Sequence, residues 1–302
     1  MSLARAATSG RRARVDRRSA RVNLASGLGW LPVLVFLAFV GAFLVAPTIA
    51  VVVSAFTGTH GATLAYVAEL GEFRYRVAFS NSLIVSAASA LVGVLGGLAI
   101  AQAVLRPGAP KILRTTATSF SAVAANFAGV PLAFAFVATL GSLGIVTAGL
   151  KHIGIDLYGM GFSLFSLSGL TIVYAYFQIP LMLIIILPAV DGVKREWREA
   201  AVILGASTTQ YWRHVALPVL LPALLAAFVL LFGNAFSAYA TPYALTSGNV
   251  GLVPTEIGNV LSGNVMMDPQ VGAALSFGMV VVMAIVLVLY LLLSRRAARW
   301  RA

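Results

Sequence analysis

Few side chains in this sequence could carry out catalysis, and none has the spacing that catalysis or metal binding requires. His60, His152 and His214 lie in three separate regions, so no pair has the helical spacing of a local metal site. A phosphate-binding glycine loop ends in Lys followed by Ser or Thr. Here the three lysines are followed by Ile112, His152 and Arg195. A G-x-S-x-G elbow and cysteine are also missing. We therefore expect no catalytic residue, no metal site and no bound cofactor in this chain.

A second set of polar residues lies within strongly apolar stretches. These side chains are uncharged and could offer hydrogen bonds to a polar solute that has lost its water. The pathway candidates are Asn126, Tyr174, Gln178, Asn234, Ser237 and Tyr239. The alternative is that they only hold helices together, as polar residues often do in membrane bundles. All nine acidic residues fall in expected loops, tails or segment ends, which argues against an ion-coupled carrier.

The sequence around these residues is that of a membrane protein. Of its 302 residues, 60% are hydrophobic and only 10% are charged, and the mean hydropathy is +0.95. Apolar runs long enough to cross a bilayer as helices occur six times. Their approximate bounds are 31–56, 82–105, 116–140, 164–190, 217–240 and 272–293. This pattern predicts an all-α polytopic protein with six transmembrane helices.

The basic residues are distributed unevenly between the ends of these segments. Of the 21 Lys and Arg residues, only Arg74, Arg76 and Lys151 fall on one side, and the other side holds all the rest. Because Lys and Arg concentrate in cytoplasmic loops, both termini and segment 194–218 are expected in the cytoplasm. We interpret the basic N-terminal tail as a topology signal with lipid contacts rather than a nucleic-acid site.

Two segments on the opposite side have distinctive compositions. Gly141 to Phe162 mixes glycines with apolar residues at irregular spacing, which favours interfacial or re-entrant structure over a seventh span. Thr241 to Gln270 has no Lys or Arg and contains Glu256 and Asp268. It is interpreted either as a docking surface or as an ordinary solvated loop.

One polar stretch interrupts the apolar pattern after the fourth segment: EAAVILGASTTQYWRHVALPVLLP, which starts at Glu199. Its first part predicts a short helix with the small residues Ala200 and Ala201 on the exposed surface. Gly205 can adopt the left-handed backbone that ends a helix. Small side chains beside a carboxylate allow another protein to approach closely, so this helix is a candidate contact surface.

The second part of the stretch predicts another short helix. Ser207 and Gln210 have the spacing of a capping box, and the helix is expected to run through Val215. Pro218 lies where the fifth span is expected to begin, a position that tolerates a residue without an N–H. The alternative to a protein-binding hairpin is an amphipathic hairpin that binds only lipid.

The hairpin matches a longer pattern: E-A-A, three residues, G, nine residues, then an aliphatic residue, any residue, and L-P. The matching residues are Glu199, Ala200, Ala201, Gly205, Val215, Leu217 and Pro218, with Val in place of the usual Ile. On these residues the chain resembles the permease subunits of binding-protein-dependent ABC importers of type I. The likeness continues through Phe79 to Arg106 and through Asp268 to Leu293.

The resemblance implies a type I importer permease fold and a division of the chain. Residues 1–30 would be a basic cytoplasmic tail, 31–294 the transmembrane permease domain and 295–302 a cytoplasmic C-terminal tail. Loop 194–218 would couple to cytoplasmic ATP-binding subunits, which would hold the ATP and Mg. The other implied partners are a second permease subunit, an extracytoplasmic solute-binding protein and the lipid of the inner membrane, and nucleic acid is not among them.

The solute is less defined by the sequence than the class of transporter. Phe232 to Asn249 is similar to the polyamine, opine and phosphonate group of permeases, although iron, thiamine and molybdate permeases share much of this stretch. A permease for iron, thiamine or an oxyanion is therefore an alternative. A stand-alone channel or secondary carrier is the alternative from a different class.

Overall fold

Helices dominate the part of the chain that the computed structural model describes, which is residues 30–58, 61–106, 108–262 and 268–298. The helices are α1 (Leu31–Ala55), α2 (Ala65–Glu69), α3 (Phe73–Val104), α4 (Lys111–Ala124), α5 (Gly129–Leu140), α6 (Ile145–His152), α7 (Leu167–Asp191), α8 (Arg195–Ile203), α9 (Thr208–Phe236), α10 (Ala240–Thr246), α11 (Val253–Leu261) and α12 (Pro269–Ala298). Strands β1 (Thr57–Gly58) and β2 (Gly61–Ala62) pair antiparallel, with Thr57 opposite Ala62. The expected tails, 1–30 and 295–302, lie largely outside the described residues.

By length and composition, six helical segments of the described chain could cross a membrane. They are α1, α3, α5 with α6, α7, α9 and the first 28 residues of α12. The prediction of an all-α polytopic protein with six spans is therefore confirmed. The chain divides into two units, one ending at Ser54 and the other beginning at Ala55.

The third span differs from the predicted one, 116–140. Helix α4 ends at Ala124, and the chain is not helical again until α5 begins at Gly129. Gly129 has a φ of +75°, which interrupts a right-handed helix, and Pro131 lies in the first turn of α5, where proline is tolerated. The candidate span at this position is Gly129–His152, which includes α6 from the segment that was expected to be interfacial. The predicted bounds were therefore wrong, because composition alone does not reveal this break.

Two spans contain a π-helical turn shortly before a proline. The turn is Gly41–Val45 in α1, ahead of Pro47, and Trp212–Ala216 in α9, ahead of Pro218. Proline has no N–H to donate to the carbonyl four residues earlier, and its ring crowds that carbonyl. A π turn changes the local hydrogen-bond spacing, so each helix continues through its proline.

The main packing contact is between α3 and α7. One side of α3 carries buried small residues: Ser82, Ser86, Ser89, Gly93 and Gly97. A Cβ atom at Gly93 would lie 3.0 Å from the Cβ of Gln178, and a Cβ atom at Gly97 would overlap Met182. Small residues thus allow α7 to pack closely on α3. Helix α9 completes this core with Leu224, Leu231 and Phe232.

The segment Thr241 to Gln270 contains two helices, α10 and α11, at the end of the molecule opposite α8. Glu256 is only 5% exposed and forms an ion pair with Arg74 of α3. Asn81 Nδ2 donates to the carbonyl of Gly251 at 3.0 Å, and the backbone N–H of Val253 donates to Ser82 Oγ at 2.9 Å. For the described residues 241–262 and 268–270, the interpretation as a solvated loop was therefore wrong. Its apolar residues instead pack on α3 and α12.

Candidate functional site

Helix α8 and the start of α9 form a hairpin whose reversal is at Gly205. This glycine has a φ of +76°, and the N–H groups of Gly205 and Ala206 donate to the carbonyls of Val202 and Ala201 at 3.0 and 2.9 Å. These two bonds form a Schellman motif, which satisfies carbonyl groups at a helix end. The expected left-handed turn is confirmed. A Cβ atom at Gly205 would meet nothing within 4 Å, so only the backbone conformation requires glycine here.

The second arm begins with the expected capping box. The N–H of Gln210 donates to Ser207 Oγ at 3.3 Å, and the N–H of Ser207 donates to Gln210 Oε1 at 2.7 Å. The reciprocal bonds satisfy two N–H groups at the start of the helix. The prediction that this arm ends at Val215 was wrong. It continues through the π turn and Pro218 into α9, so this arm and the fifth span form one helical segment.

The two alanines of the E-A-A sequence lie on different faces of α8. Ala200 is exposed, as expected, whereas Ala201 is buried against Tyr211 and Ala216 of the second arm. The expectation that both alanines are exposed was wrong, because consecutive residues of a helix point about 100° apart. Ala201 therefore holds the hairpin closed, and Ala200 remains available for contact with another molecule.

The tip of the hairpin exposes a row of aliphatic side chains that the sequence reasoning did not single out. Val202 is 67% exposed, and Ile203 and Leu204 are each 85% exposed. Exposed large apolar side chains close together mark protein or membrane contact sites. The sequence feature that could have identified these residues is their position between the E-A-A sequence and the turn at Gly205. Glu199 is also exposed and accepts a hydrogen bond from Arg195 Nε at 2.8 Å.

An open cleft of about 510 Å³ lies between the two arms of the hairpin. Its walls are mostly apolar and include Trp197, Ala200, Leu204, His214, Val215 and Pro218. Of the motif residues, Leu217 is exposed, and Val215 and Pro218 are half-buried. The hairpin thus presents both a protruding apolar tip and a concave apolar surface.

The pathway candidates fall into two groups, of which the first is buried in the seam between α3 and α7. Gln178 Nε2 donates to Ser89 Oγ at 3.0 Å. Within the described chain, Gln178 Oε1 and the hydroxyl of Tyr174 have no hydrogen-bond partner. Buried polar atoms normally have partners, so these two atoms lack the hydrogen bonds that burial usually requires.

The second group is exposed: Asn126, Asn234, Ser237 and Tyr239. Asn126 lies in the break before α5, and Tyr239 lies in the break before α10, where its ring stacks on Tyr243 with 5.2 Å between centroids. The two breaks are joined, because the N–H of Gly129 donates to Thr241 Oγ1 at 2.8 Å. The structure therefore brings the neighbourhoods of Asn126 and Tyr239 together. Tyr174 packs in one cluster with Leu132 of α5 and Leu245 of α10.

Within the described residues, six apolar helical segments and an exposed helical hairpin define a polytopic membrane protein. Residues 93–299 match the family described as binding-protein-dependent transport system inner membrane component. The chain belongs to this family, whose members are permease subunits of ABC importers.

Three curated relatives are similar over part of their length. The trehalose/maltose transport system permease protein MalF of Thermococcus litoralis is 30% identical over 118 residues, 38% of this chain and 40% of the relative. The spermidine/putrescine transport system permease protein PotB of Haemophilus influenzae is 29% identical over 117 residues, 38% and 40% of the two chains. A PotC homologue of Mycoplasma pneumoniae, also named for spermidine/putrescine transport, is 26% identical over 125 residues, 41% of each chain. The alignments thus span about two fifths of these relatives.

Solved structures extend the likeness in fold to nearly the whole chain. A chain of a bacterial ABC transporter involved in import of the acidic polysaccharide alginate has a TM-score of 0.69 at 18% identity and covers 93% of this chain and 99% of its own. The same type of transporter in complex with an alginate pentasaccharide-bound periplasmic protein gives 0.68 at 18% identity, with 92% and 96% covered. These matches confirm the importer permease fold.

Proposed function

We propose that this chain is an inner-membrane subunit that forms half of a translocation pathway and couples it to a cytoplasmic ATP-binding subunit through the hairpin. The observation that carries this proposal is the exposed aliphatic tip, Val202 to Leu204, beside the exposed Glu199. An apolar protrusion flanked by a charge has the composition of a protein contact with a hydrophobic centre and a polar rim. In this proposal the hairpin and both termini are cytoplasmic.

The partner subunits would supply what this chain is proposed to lack. ATP and Mg would bind in the ATP-binding subunits, and no residue of this chain is assigned to them. A second permease subunit, identical or distinct, would form the other half of the pathway. A solute-binding protein would deliver the solute, in line with the periplasmic protein bound to the alginate transporter. Ligands would drive transport through different affinities for the two conformations.

The proposed solute is small and polar, of the polyamine, opine or phosphonate type. Two of the three relatives described above are named for spermidine and putrescine transport, which supports a polyamine. The stacked rings of Tyr239 and Tyr243 could attract an ammonium group through their π faces. A saccharide is the second candidate, since one relative is named for trehalose and maltose.

The coupling role is tested with Glu199→Ala and Gly205→Val in complexes reconstituted at equal subunit content. Both variants are expected to insert and fold, because neither residue lies in a candidate span, while uptake and solute-stimulated ATP hydrolysis fall together. Glu199→Ala removes a charged hydrogen-bond partner, and Gly205→Val disfavours the left-handed turn and adds bulk at the contact.

Two matched variants control for charge and for backbone strain. Glu196→Ala removes another exposed acid of α8, and Gly108→Val strains another glycine with positive φ and open space around its Cβ position. We expect both controls to retain coupled transport. Normal uptake and ATP hydrolysis in Glu199→Ala and Gly205→Val would remove the reason for assigning the hairpin to an ATP-driven partner, and would favour a lipid-bound hairpin instead.

A further inference from the structure

Helices α4 and α7 are joined by an ion pair close to the base of the hairpin. The Arg114 guanidinium donates to the Asp191 carboxylate, and both side chains are about half-exposed. Arg114 lies in the first turns of α4, and Asp191 is the last residue of α7. The two helices also pack against each other, so the pair adds a polar contact at the end of an apolar one.

Both charges lie at the helix end that disfavours them. The N-terminus of a helix carries a partial positive charge and the C-terminus a partial negative charge. Arg114 adds a positive charge near the start of α4, and Asp191 adds a negative charge at the end of α7. Neither helix compensates its charge, because α4 has no acidic residue in its first turn and α7 has no basic residue in its last turn. Each residue is therefore stabilised by the other rather than by its own helix.

Asp191 is also directly connected to the hairpin. Only Gly192–Lys194 separate it from α8, and this linker is a closed turn. The N–H of Gly192 donates to the carbonyl of Pro188, and the N–H of Val193 donates to the carbonyl of Val190, both at 3.1 Å. A displacement of α8 is therefore transferred to Asp191 across a short hydrogen-bonded segment.

At its other end, α4 reaches the break that contains Asn126. Through Gly129 and Thr241 this break contacts the segment that carries Tyr239. Helix α4 therefore connects the base of the hairpin with the exposed pathway candidates, and the ion pair of Arg114 with Asp191 adds to the packing that holds α4 to that base.

We propose that Arg114 and Asp191 are positioning residues: their ion pair makes α4 follow the movement of the hairpin, so that the pathway responds to the ATP-binding subunit. This inference rests on the proposed function of the hairpin. It assigns a transmission role to two residues outside the E-A-A pattern and outside the pathway candidates.

Charge reversal tests the pair. In Arg114→Asp two carboxylates face each other, and in Asp191→Arg two guanidinium groups do. The double variant R114D/D191R restores the attraction and places each charge at the helix end that favours it. We expect each single variant to hydrolyse about two- to fivefold more ATP per solute imported, a range that corresponds to the free energy of an exposed ion pair. The double variant should return to the wild-type ratio.

The control is another exposed ion pair, Lys151 with Asp156, which lies outside the hairpin region. Reversal of one charge of that pair, in Lys151→Asp, places two carboxylates face to face and should leave the ratio of ATP hydrolysed to solute imported unchanged. A purely structural role for Arg114 and Asp191 would lower the amount of assembled complex without changing this ratio.

Three results would overturn the inference: a wild-type ratio in both assembled single variants, a raised ratio that the double variant does not restore, or an equal rise in the control. If the single variants do not assemble, the neutral variants Arg114→Gln and Asp191→Asn are measured in their place, and a wild-type ratio in both overturns the inference.

Failure of the proposed function is distinguished by the variants Glu199→Ala and Gly205→Val. If these two variants keep normal uptake and ATP hydrolysis, the hairpin is not the coupling site. If they uncouple and the ion-pair variants do not, only the transmission role is lost.

Discussion

The hydroxyl of Tyr174 is completely enclosed between α3 and α7 without a partner in the described chain. A buried polar group without a hydrogen bond costs about 1–3 kcal/mol of folding free energy. Tyr174→Phe removes this group and keeps the ring, so we expect the unfolding free energy to rise by about 1 kcal/mol. Denaturant unfolding in detergent measures this change. Tyr176→Phe, on an exposed face of the same helix, should have little effect.

Transport by the same variant separates the two interpretations of Tyr174. If the hydroxyl binds solute, the stabilised variant imports solute more slowly or changes its preference among solutes. Unchanged uptake with increased stability assigns Tyr174 to packing. A loss of stability in Tyr174→Phe would show that the hydroxyl makes a hydrogen bond in the folded protein. Alanine variants of Asn126, Gln178, Asn234 and Tyr239 apply the same uptake assay to the other candidates, each compared at equal amounts of assembled complex.

Glu69 provides a pH-dependent test at the end of the molecule opposite the hairpin. Partial burial raises the pKa of its carboxyl group above the ordinary value of 4.5, and the neighbouring carboxylates of Asp268 and Glu72 raise it further. The charged form is thus disfavoured in the folded state. This penalty is fully present above the raised pKa and disappears as the pH falls below 4.5.

We therefore expect Glu69→Gln to raise the melting temperature at pH 7 to 8 and to give no gain near pH 4. Thermal unfolding across this pH range measures the difference. Glu196→Gln, in α8 and remote from Asp268, serves as the control. A stabilisation by Glu69→Gln that does not change with pH would show that charge is not its cause.

At the scale of elements, the hairpin is held by local sequence rather than by a large core. Its buried cluster contains only Ala201, Tyr211 and Ala216, and the capping box and the Schellman turn supply the rest. Loss of an N-cap side chain costs about 1 kcal/mol. Ser207→Ala should therefore increase hydrogen exchange in 195–211 while exchange in α3 and α7 stays unchanged. Thr208→Ala, at the neighbouring exposed position, should change neither, and protection equal to wild type in Ser207→Ala would contradict the role of the cap.

Local backbone chemistry explains which elements could be predicted from the sequence. The turn at Gly205 and the cap at Ser207 depend on residues within a few positions of each other, and both were predicted correctly. The break before α5 depends on a glycine conformation that the sequence permits but does not require. The burial of Ala201 and of Glu256 depends on Tyr211 and Arg74, which are distant in sequence or on another helix, so neither could be deduced from the pattern alone.

For the whole molecule, the distribution of basic residues still predicts that both termini and the hairpin are cytoplasmic. Reporter fusions after Arg301 and within Thr246 to Asn249 should report opposite sides of the membrane. Signals from the same side would contradict the topology and, with it, the proposed contact between the hairpin and a cytoplasmic partner.

The composition of the complex distinguishes the importer from a channel or carrier. We expect the chain to co-purify with an ATP-binding protein in a stable stoichiometric complex, since the exposed apolar tip is proposed to be covered by it. Substitution of Ile203 and Leu204, each 85% exposed, by Ser should weaken this complex. Full solute transport by the isolated chain in vesicles would instead identify a stand-alone transporter.

The continuity of α9 has a mechanical consequence. Its 29 residues from Thr208 to Phe236 make one rod about 43 Å long, at about 1.5 Å per residue. A tilt of only about 5° about one end of such a rod moves the other end by about 4 Å. The π turn at Trp212–Ala216, where the regular hydrogen-bond ladder is interrupted, lies close to the hairpin end. If the hairpin couples to an ATP-binding subunit, as proposed, the second arm and the fifth span would move as one lever, and a small rotation at the hairpin would displace the other end of the helix, where Asn234 lies.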